Sequence, residues 1–133
     1  DMPPGSDRID NIRSLIPELA GAVEITIPSM LSQHIVTKSI TKNNKMGVPI
    51  IGLVENMATY VCPHCEKEGK LFAGEDVQKL TKRKEIPYIG KIPFDTRVSQ
   101  SKSGNLFYSE FKDSVTAKAI AETVDNIENF IKK

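Results

Sequence analysis

The chain has 133 residues, enough for one domain with a substantial core, and its 18 basic and 17 acidic side chains leave a net charge of +1. That near balance gives no electrostatic ground for a nucleic-acid partner or an anionic membrane surface. The longest apolar run, Val48 to Val54, is broken by Pro49 and Gly52 and is far too short to span a bilayer, and no signal-peptide pattern opens the sequence, so a soluble cytoplasmic protein is expected.

In chain order, Asp1-Met2-Pro3-Pro4-Gly5 reads as a loop leaving a strand, and no initiator Met stands ahead of it. The strand that should lead into it is not in the sequence, so the chain is expected to be the second half of a larger domain. Asp7 is suited to cap a helix, and Ile9, Ile12, Ile16 and Leu19 recur at helical spacing until Pro17 ends the regular part near Leu15. Gly21 turns the chain into a β-branched strand, Ala22 to Ile27, closed by Pro28. Ser29 or Ser32 starts the next helix, with Leu31, Ile35, Val36 and Ile40 expected inward, Lys38, Lys42 and the asparagines outward, and Gly47 as terminator. Val48 to Val54 is a nearly continuous apolar strand, as when helices cover both faces of a sheet. Strand, helix, strand in that order predicts a parallel crossover.

Glu66 to Lys70 is charged and aperiodic, and is expected to be a loop. A short helix follows from Gly74 to Lys84 with Val77 and Leu80 inward; its Lys79, Lys82, Arg83 and Lys84 are better explained as a solvated face than as a binding patch. Ile86 to Ile92 gives a third strand leading into Pro93-Phe94-Asp95. The final helix, from about Asp113, places Ile120, Val124, Ile127 and Ile131 on one face. The class is α/β, a parallel sheet flanked by helices.

Gly52 to Cys65 is the stretch that concentrates chemistry. It opens as a buried strand, passes the polar pair Glu55-Asn56, and delivers both cysteines of the chain, Cys62 and Cys65. Ligands of parallel α/β sheets collect beyond the carboxyl ends of strands, which is where Asn56 is expected. A strand-end amide that only satisfies nearby backbone is the plain alternative. Cys62-Pro63-His64-Cys65 has the spacing for two thiolates to reach one metal ion or cluster edge. Two ligands are half of a four-coordinate set, and a second copy of the chain is the economical source of the rest, since two-fold homodimers are common. A redox dithiol would want a helix start after its first cysteine, which Glu66 to Lys70 does not offer, and unreactive surface thiols are the remaining alternative. Spacing does not choose between zinc and iron-sulfur.

These stretches together resemble the Mrp/ApbC family, iron-sulfur carrier ATPases related to MinD and the nitrogenase iron protein. The matching segments are DMPPG at 1 to 5, VPIIGLVENM at 48 to 57, the tyrosine and CPHC at 60 to 65, IPYIGKIPFD at 86 to 95, and SVTAKAI at the start of the last helix. VENM followed by C-P-x-C is the specific combination. The resemblance implies the C-terminal portion of a P-loop, MinD-like NTPase domain, with Asp1 as the acidic residue near Mg²⁺ and Gly5 at the γ-phosphate. It further implies Asn56 reading adenine, Pro93 and Asp95 in a second loop around the base, and Cys62 and Cys65 bridging a [4Fe-4S] cluster between two subunits.

The function so implied is an ATP-controlled carrier or scaffold that passes its cluster to apo-proteins acting as iron-sulfur acceptors. Two departures stand out: Gly5-Ser6-Asp7 is one residue shorter than the family's loop, and the family's glycine-rich phosphate loop, which precedes DMPPG, is not among these residues. The chain by itself is therefore not expected to hydrolyse ATP. The alternative within the same superfamily is a MinD-like regulatory or scaffolding ATPase whose cysteine pair holds structural zinc. A MinD-like membrane helix is not expected at the C-terminus, where Lys132 and Lys133 are the only terminal basic residues.

Overall fold

A computed structural model describes residues 12, 15, 16, 18–62, 64, 65, 67–74, 76–100 and 107–132. Asp1 and Gly5, expected at the phosphate end of a nucleotide, lie outside the described residues, as do Asp7 and Ile9 of the first expected helix. The described part of that helix retains the bond from the Ile16 N–H to the Ile12 carbonyl, 2.8 Å, but Leu15 and Ile16 are exposed.

Strand β1 is Ala22–Thr26, helix α1 Met30–Lys45 and strand β2 Ile50–Val61. A two-residue strand β3, Glu68–Gly69, precedes helix α2, Val77–Lys84, and strand β4, Tyr88–Phe94. A 3-10 turn at Thr96–Gln100, a short helix α3 at Phe107–Glu110 and the long helix α4 at Val115–Ile131 complete the order. β2 pairs in parallel with β1 on one edge and with β4 on the other, and antiparallel with β3 near its end. The predicted parallel crossover is thus present.

Both faces of β2 are covered, which explains the nearly continuous apolar run at its start. Leu53 packs with Val36 and Ile40 of α1 and Val77 and Leu80 of α2 on one side. Ile51 and Val54 pack with Ile89 on the other, where Ile127 of α4 closes the layer. Close approach there depends on Gly90, where a Cβ would lie 2.2 Å from the Thr123 hydroxyl.

Ser29 caps α1, accepting from the Ser32 N–H at 3.2 Å, and the helix ends into Gly47 at a φ of +68°, as the sequence suggested. The inward face of α1 differs from the expectation. Leu31 and Ile35 are exposed, whereas Asn43 is buried. The reason is a polar contact the helical period does not reveal: buried Glu24 of β1 accepts hydrogen bonds from Asn43 Nδ2 at 2.6 Å and the Ser39 hydroxyl at 2.9 Å. Burial pushes the Glu24 carboxyl up from its ordinary value, against the opposing effect of these two donors.

α4 differs similarly. Val124 and Ile131 are exposed and Ile120 and Ile127 only half-buried, because the helix meets the sheet through the smaller Thr116, Ala117 and Thr123. Glu68 and Gly69, expected in a loop, instead pair with Val61 and Tyr60.

Candidate nucleotide and metal site

Asn56 is not at a strand end. β2 runs on to Val61, but its backbone changes character just after Asn56, where Met57 adopts a φ of +52° and the register against β4 shifts between Asn56 and Tyr60. A positive φ at a residue with a side chain is uncommon and marks a deliberate irregularity. The Asn56 side-chain oxygen stabilises it by accepting the Met57 N–H at 2.9 Å, so the amide nitrogen is the part of Asn56 that remains to donate. Asn56 pairs with Ile92, so the two parallel strands bring Asn56 beside the start of Pro93-Phe94-Asp95.

Pro93 is buried. Asp95 is buried too, and its carboxylate is taken up by Arg97. Arg97 Nε donates to Oδ1 at 2.9 Å and to Oδ2 at 3.2 Å, Nη2 donates to Oδ2 at 2.7 Å, and the Arg97 backbone N–H reaches Oδ1 at 3.0 Å. These bonds hold the Asp95 carboxyl below the usual carboxylate range, outweighing the effect of its burial. The guanidinium carbon lies 5.3 Å from the centroid of Phe111, whose ring contacts Phe107 at the same centroid separation, 5.3 Å. Sequence reasoning singled out Asp95 and missed both Arg97 and Phe111. An arginine two residues after a loop aspartate was the available signal for the first; the second comes from a distant segment.

The thiols follow the end of β2. The Cys62 N–H donates to the Lys67 carbonyl at 3.1 Å, closing a turn that returns the chain as β3. Glu68 ties that return to the sheet, accepting from the buried Thr59 hydroxyl at 3.1 Å and lying 3.7 Å from Lys91 Nζ. Neither cysteine is in a disulfide; Cys62 is half-buried and Cys65 exposed. Hydrogen bonds from the His64 and Cys65 backbone, with a further one from the Cys65 side chain, hold the Cys62 thiol below its ordinary value. Backbone N–H groups aimed at a sulfur favour the thiolate, the form that binds metal. Among the described residues no group of three or more His, Cys, Asp or Glu side chains is placed to hold a metal ion. A donor set of two adjacent thiols suits a cargo whose remaining ligands come from elsewhere.

Cys62 and Asp95 open onto one cleft of about 610 Å³, whose lining includes Arg97, Phe111, Lys112 and Lys118. Asn56 and Pro93 are not part of that lining. The structure therefore groups the sequence-derived residues in two steps: Asn56 beside the strand that carries Pro93, and Asp95 with Cys62.

A mostly parallel sheet with helices on both faces defines an α/β class with a MinD-like fold. In fold it is similar to the nucleotide-binding protein of Archaeoglobus fulgidus solved in complex with ADP, with TM-score 0.60 and 29% identity over 74% of this chain and 41% of that one. It also resembles in fold the cell division ATPase MinD of Pyrococcus furiosus, with TM-score 0.57 and 19% identity over 80% of this chain and 42% of that one.

The profile of the ParA family, described as NUBPL iron-transfer P-loop NTPase, matches residues 1–128, and the chain belongs to that family. Among similar proteins, the cytosolic Fe-S cluster assembly factor NUBP2 homolog of Dictyostelium discoideum is 36% identical over 95% of this chain and 49% of its own length. The chicken (Gallus gallus) cytosolic Fe-S cluster assembly factor NUBP2 is 33% identical over 96% and 48%, and the factor NBP35 of Kluyveromyces lactis 34% over 98% and 42%. The chain spans about half the length of these curated relatives.

Proposed function

We propose that the protein to which this chain belongs is a cytosolic iron-sulfur carrier or scaffold. In this reading Cys62 and Cys65 from each of two copies bind a [4Fe-4S] cluster at a homodimer interface, and the cluster is passed to apo-proteins. The observation that carries it is the pair of free thiols on a turn just past the end of β2, in a chain of the iron-transfer family. Two ligands per chain leave a coordination set that a second copy completes. The cytosolic setting follows the printed names of the relatives, and no helix among the described residues is long and apolar enough to cross a membrane.

ATP with Mg²⁺ belongs to the same proposal. Asp1 and Gly5 serve the phosphate end, and Asn56, Pro93 and Asp95 the base end. In this reading Asp95, its carboxylate engaged by Arg97, shapes the loop by positioning Arg97. Asn56 retains its amide nitrogen for the base.

The test is anaerobic reconstitution of the complete protein followed by iron and acid-labile sulfide analysis. About four irons per dimer are expected for one cluster shared between two cysteine pairs. Cys62→Ser and Cys65→Ser should each lower that content sharply. Unchanged content in both variants, or tightly held zinc with no transfer to an acceptor, overturns the carrier reading in favour of a structural metal clip.

A further inference from the structure

The near balance of charge in the whole chain conceals an uneven distribution between its two helical layers. Helices α1 and α2 lie on the same face of the sheet, since both contribute to the cluster around Leu53. Neither contains an acidic residue, and their last turns carry Lys42 and Lys45 in α1 and Lys82, Arg83 and Lys84 in α2. α1 leads into the start of β2 and α2 into the start of β4, and these strands are parallel, so both last turns lie at the amino end of the sheet. Lys45, Lys82 and Arg83 are exposed there. In the connectors at this end, 18–21, 46–49 and 85–87, the acidic residues are Glu18 and Glu85, so positive charge prevails. Across the sheet the sign reverses, with Glu122, Asp125 and Glu128 of α4 against Lys118. Cations in a last turn favour each helix by itself. The fold does more, adding the lysines of α1 to the cluster that α2 shows alone.

We infer that this basic end of the α1 and α2 layer docks an extended protein segment rich in Asp and Glu. Four of the five cations are lysines, compact charges that suit scattered carboxylates and lack the planar fork with which arginine grips a phosphate. Neither helix offers a Phe, Tyr or Trp on which a base could stack. The exposed apolar side chains of α1, Met30, Leu31 and Ile35, are in its first turns, so the charge has no apolar anchor beside it such as a membrane-surface helix requires. A second copy could present only the acidic face of α4, where Glu128 is already held by Lys132 at 2.7 Å, and that contact between unlike surfaces would not close on itself. The thiol turn follows the carboxyl end of β2, at the opposite end of the sheet. An acidic segment docked on the lysines therefore leaves Cys62 and Cys65 uncovered, and serves as a tether and not as a receiver of cargo.

The experiment titrates the complete protein into fluorescein-labelled poly-glutamate and follows binding by fluorescence anisotropy at low and raised salt. Binding is expected, and it should weaken as salt rises, because exposed charges are screened. Lys45→Glu together with Lys82→Glu should weaken it by about ten-fold or more. Lys118→Glu together with Lys132→Glu, which changes the net charge equally on the α4 layer, should weaken it by less than about two-fold. All four positions are exposed, and circular dichroism checks that both variants fold. Lys45→Gln with Lys82→Gln, expected to give a smaller loss in the same direction, serves where charge reversal disturbs folding. Equal weakening by the two Glu pairs would reduce the effect to net charge and overturn the inference. So would the absence of binding, tighter binding of a DNA duplex or of phosphatidylserine vesicles than of poly-glutamate, or self-association dispersed by salt in place of peptide binding.

Discussion

The two halves of β2 share one strand and have little else in common. From Ile50 to Val54 no residue takes a positive φ, the strand is paired in parallel with β1 and, from Leu53, with β4, and Ile51, Leu53 and Val54 are buried against helices on both faces. From Asn56 to Val61 the register against β4 slips, Met57 takes a positive φ, and the neighbour near the end is a two-residue antiparallel strand. The first half supplies core on both faces. The second carries Asn56 and the positive φ at Met57, still buries Ala58 and Thr59, and leads into the turn that holds the two thiols. Most of the core contact of β2 thus lies in its first half, and the candidate chemistry in its second half and just past it.

The sharpest way to test that separation is to damage the first half. Leu53 is fully buried between Val36, Ile40, Val77 and Leu80, and Leu53→Ala should cost about 2–5 kcal/mol, because the surrounding helices cannot collapse fully onto the void. Urea denaturation followed by circular dichroism measures it. A loss well under that range would mean the two layers are not held together at β2.

The next effect lies just past the end of β4, the strand whose end pairs with the second half. Asp95→Asn should lower stability by about 1–2 kcal/mol at neutral pH, a charge-assisted contact discounted because the Arg97 side chain is 44% exposed. The direction with pH follows from the lowered carboxyl. A group whose folded pKa is depressed contributes in full above its unfolded value, near 3.9 for Asp, and loses that contribution as pH falls through the folded value. Wild type and Asp95→Asn should therefore differ at pH 7 and converge in strong acid. A gap that persists there would assign the loss to packing instead of charge. The same variant should also loosen the wall of the cleft, because Arg97 then loses the carboxylate that holds it over Phe111.

The first half of β2 was legible in the sequence, since a continuous apolar run bounded by Pro49 and Glu55 has few other meanings in an α/β pattern. So was the parallel crossover from β1 to β2, through the strand, helix, strand order, and so was the thiol pair. What stayed hidden depended on contacts between segments far apart. The inward face of α1 is decided by Glu24, 19 residues before Asn43 in the chain, and a helical count of apolar residues cannot see a buried carboxylate on another element. α4 packs through Thr123 because Gly90 of β4 leaves room for it, so its most apolar stripe is not its buried one. Arg97 and Phe111 became part of the site only when folding brought two loops to one cleft. The extension of β2 past Asn56 was invisible for a local reason: Asn56 satisfies Met57 in a conformation that sequence patterns read as a strand end.

The smallest expected effect belongs to the far end of the second half. In the metal-free protein, Cys62→Ser and Cys65→Ser, singly or together, should leave the urea midpoint within experimental error of wild type. Cys65 is exposed, Cys62 is only half-buried, and neither is in a disulfide, so no cavity, orphaned charge or lost cross-link follows from the change. The turn is held by groups that the substitutions leave in place, the Cys62 N–H on Lys67 and the Thr59 hydroxyl on Glu68. A shift as large as that of Leu53→Ala would mean that the thiols are part of the scaffold, and the division of β2 into a structural and a chemical half would not hold. An unchanged midpoint together with lost cluster content would place the function of the turn in its sulfur atoms, and its shape in the backbone and the Thr59–Glu68–Lys91 contacts beneath it.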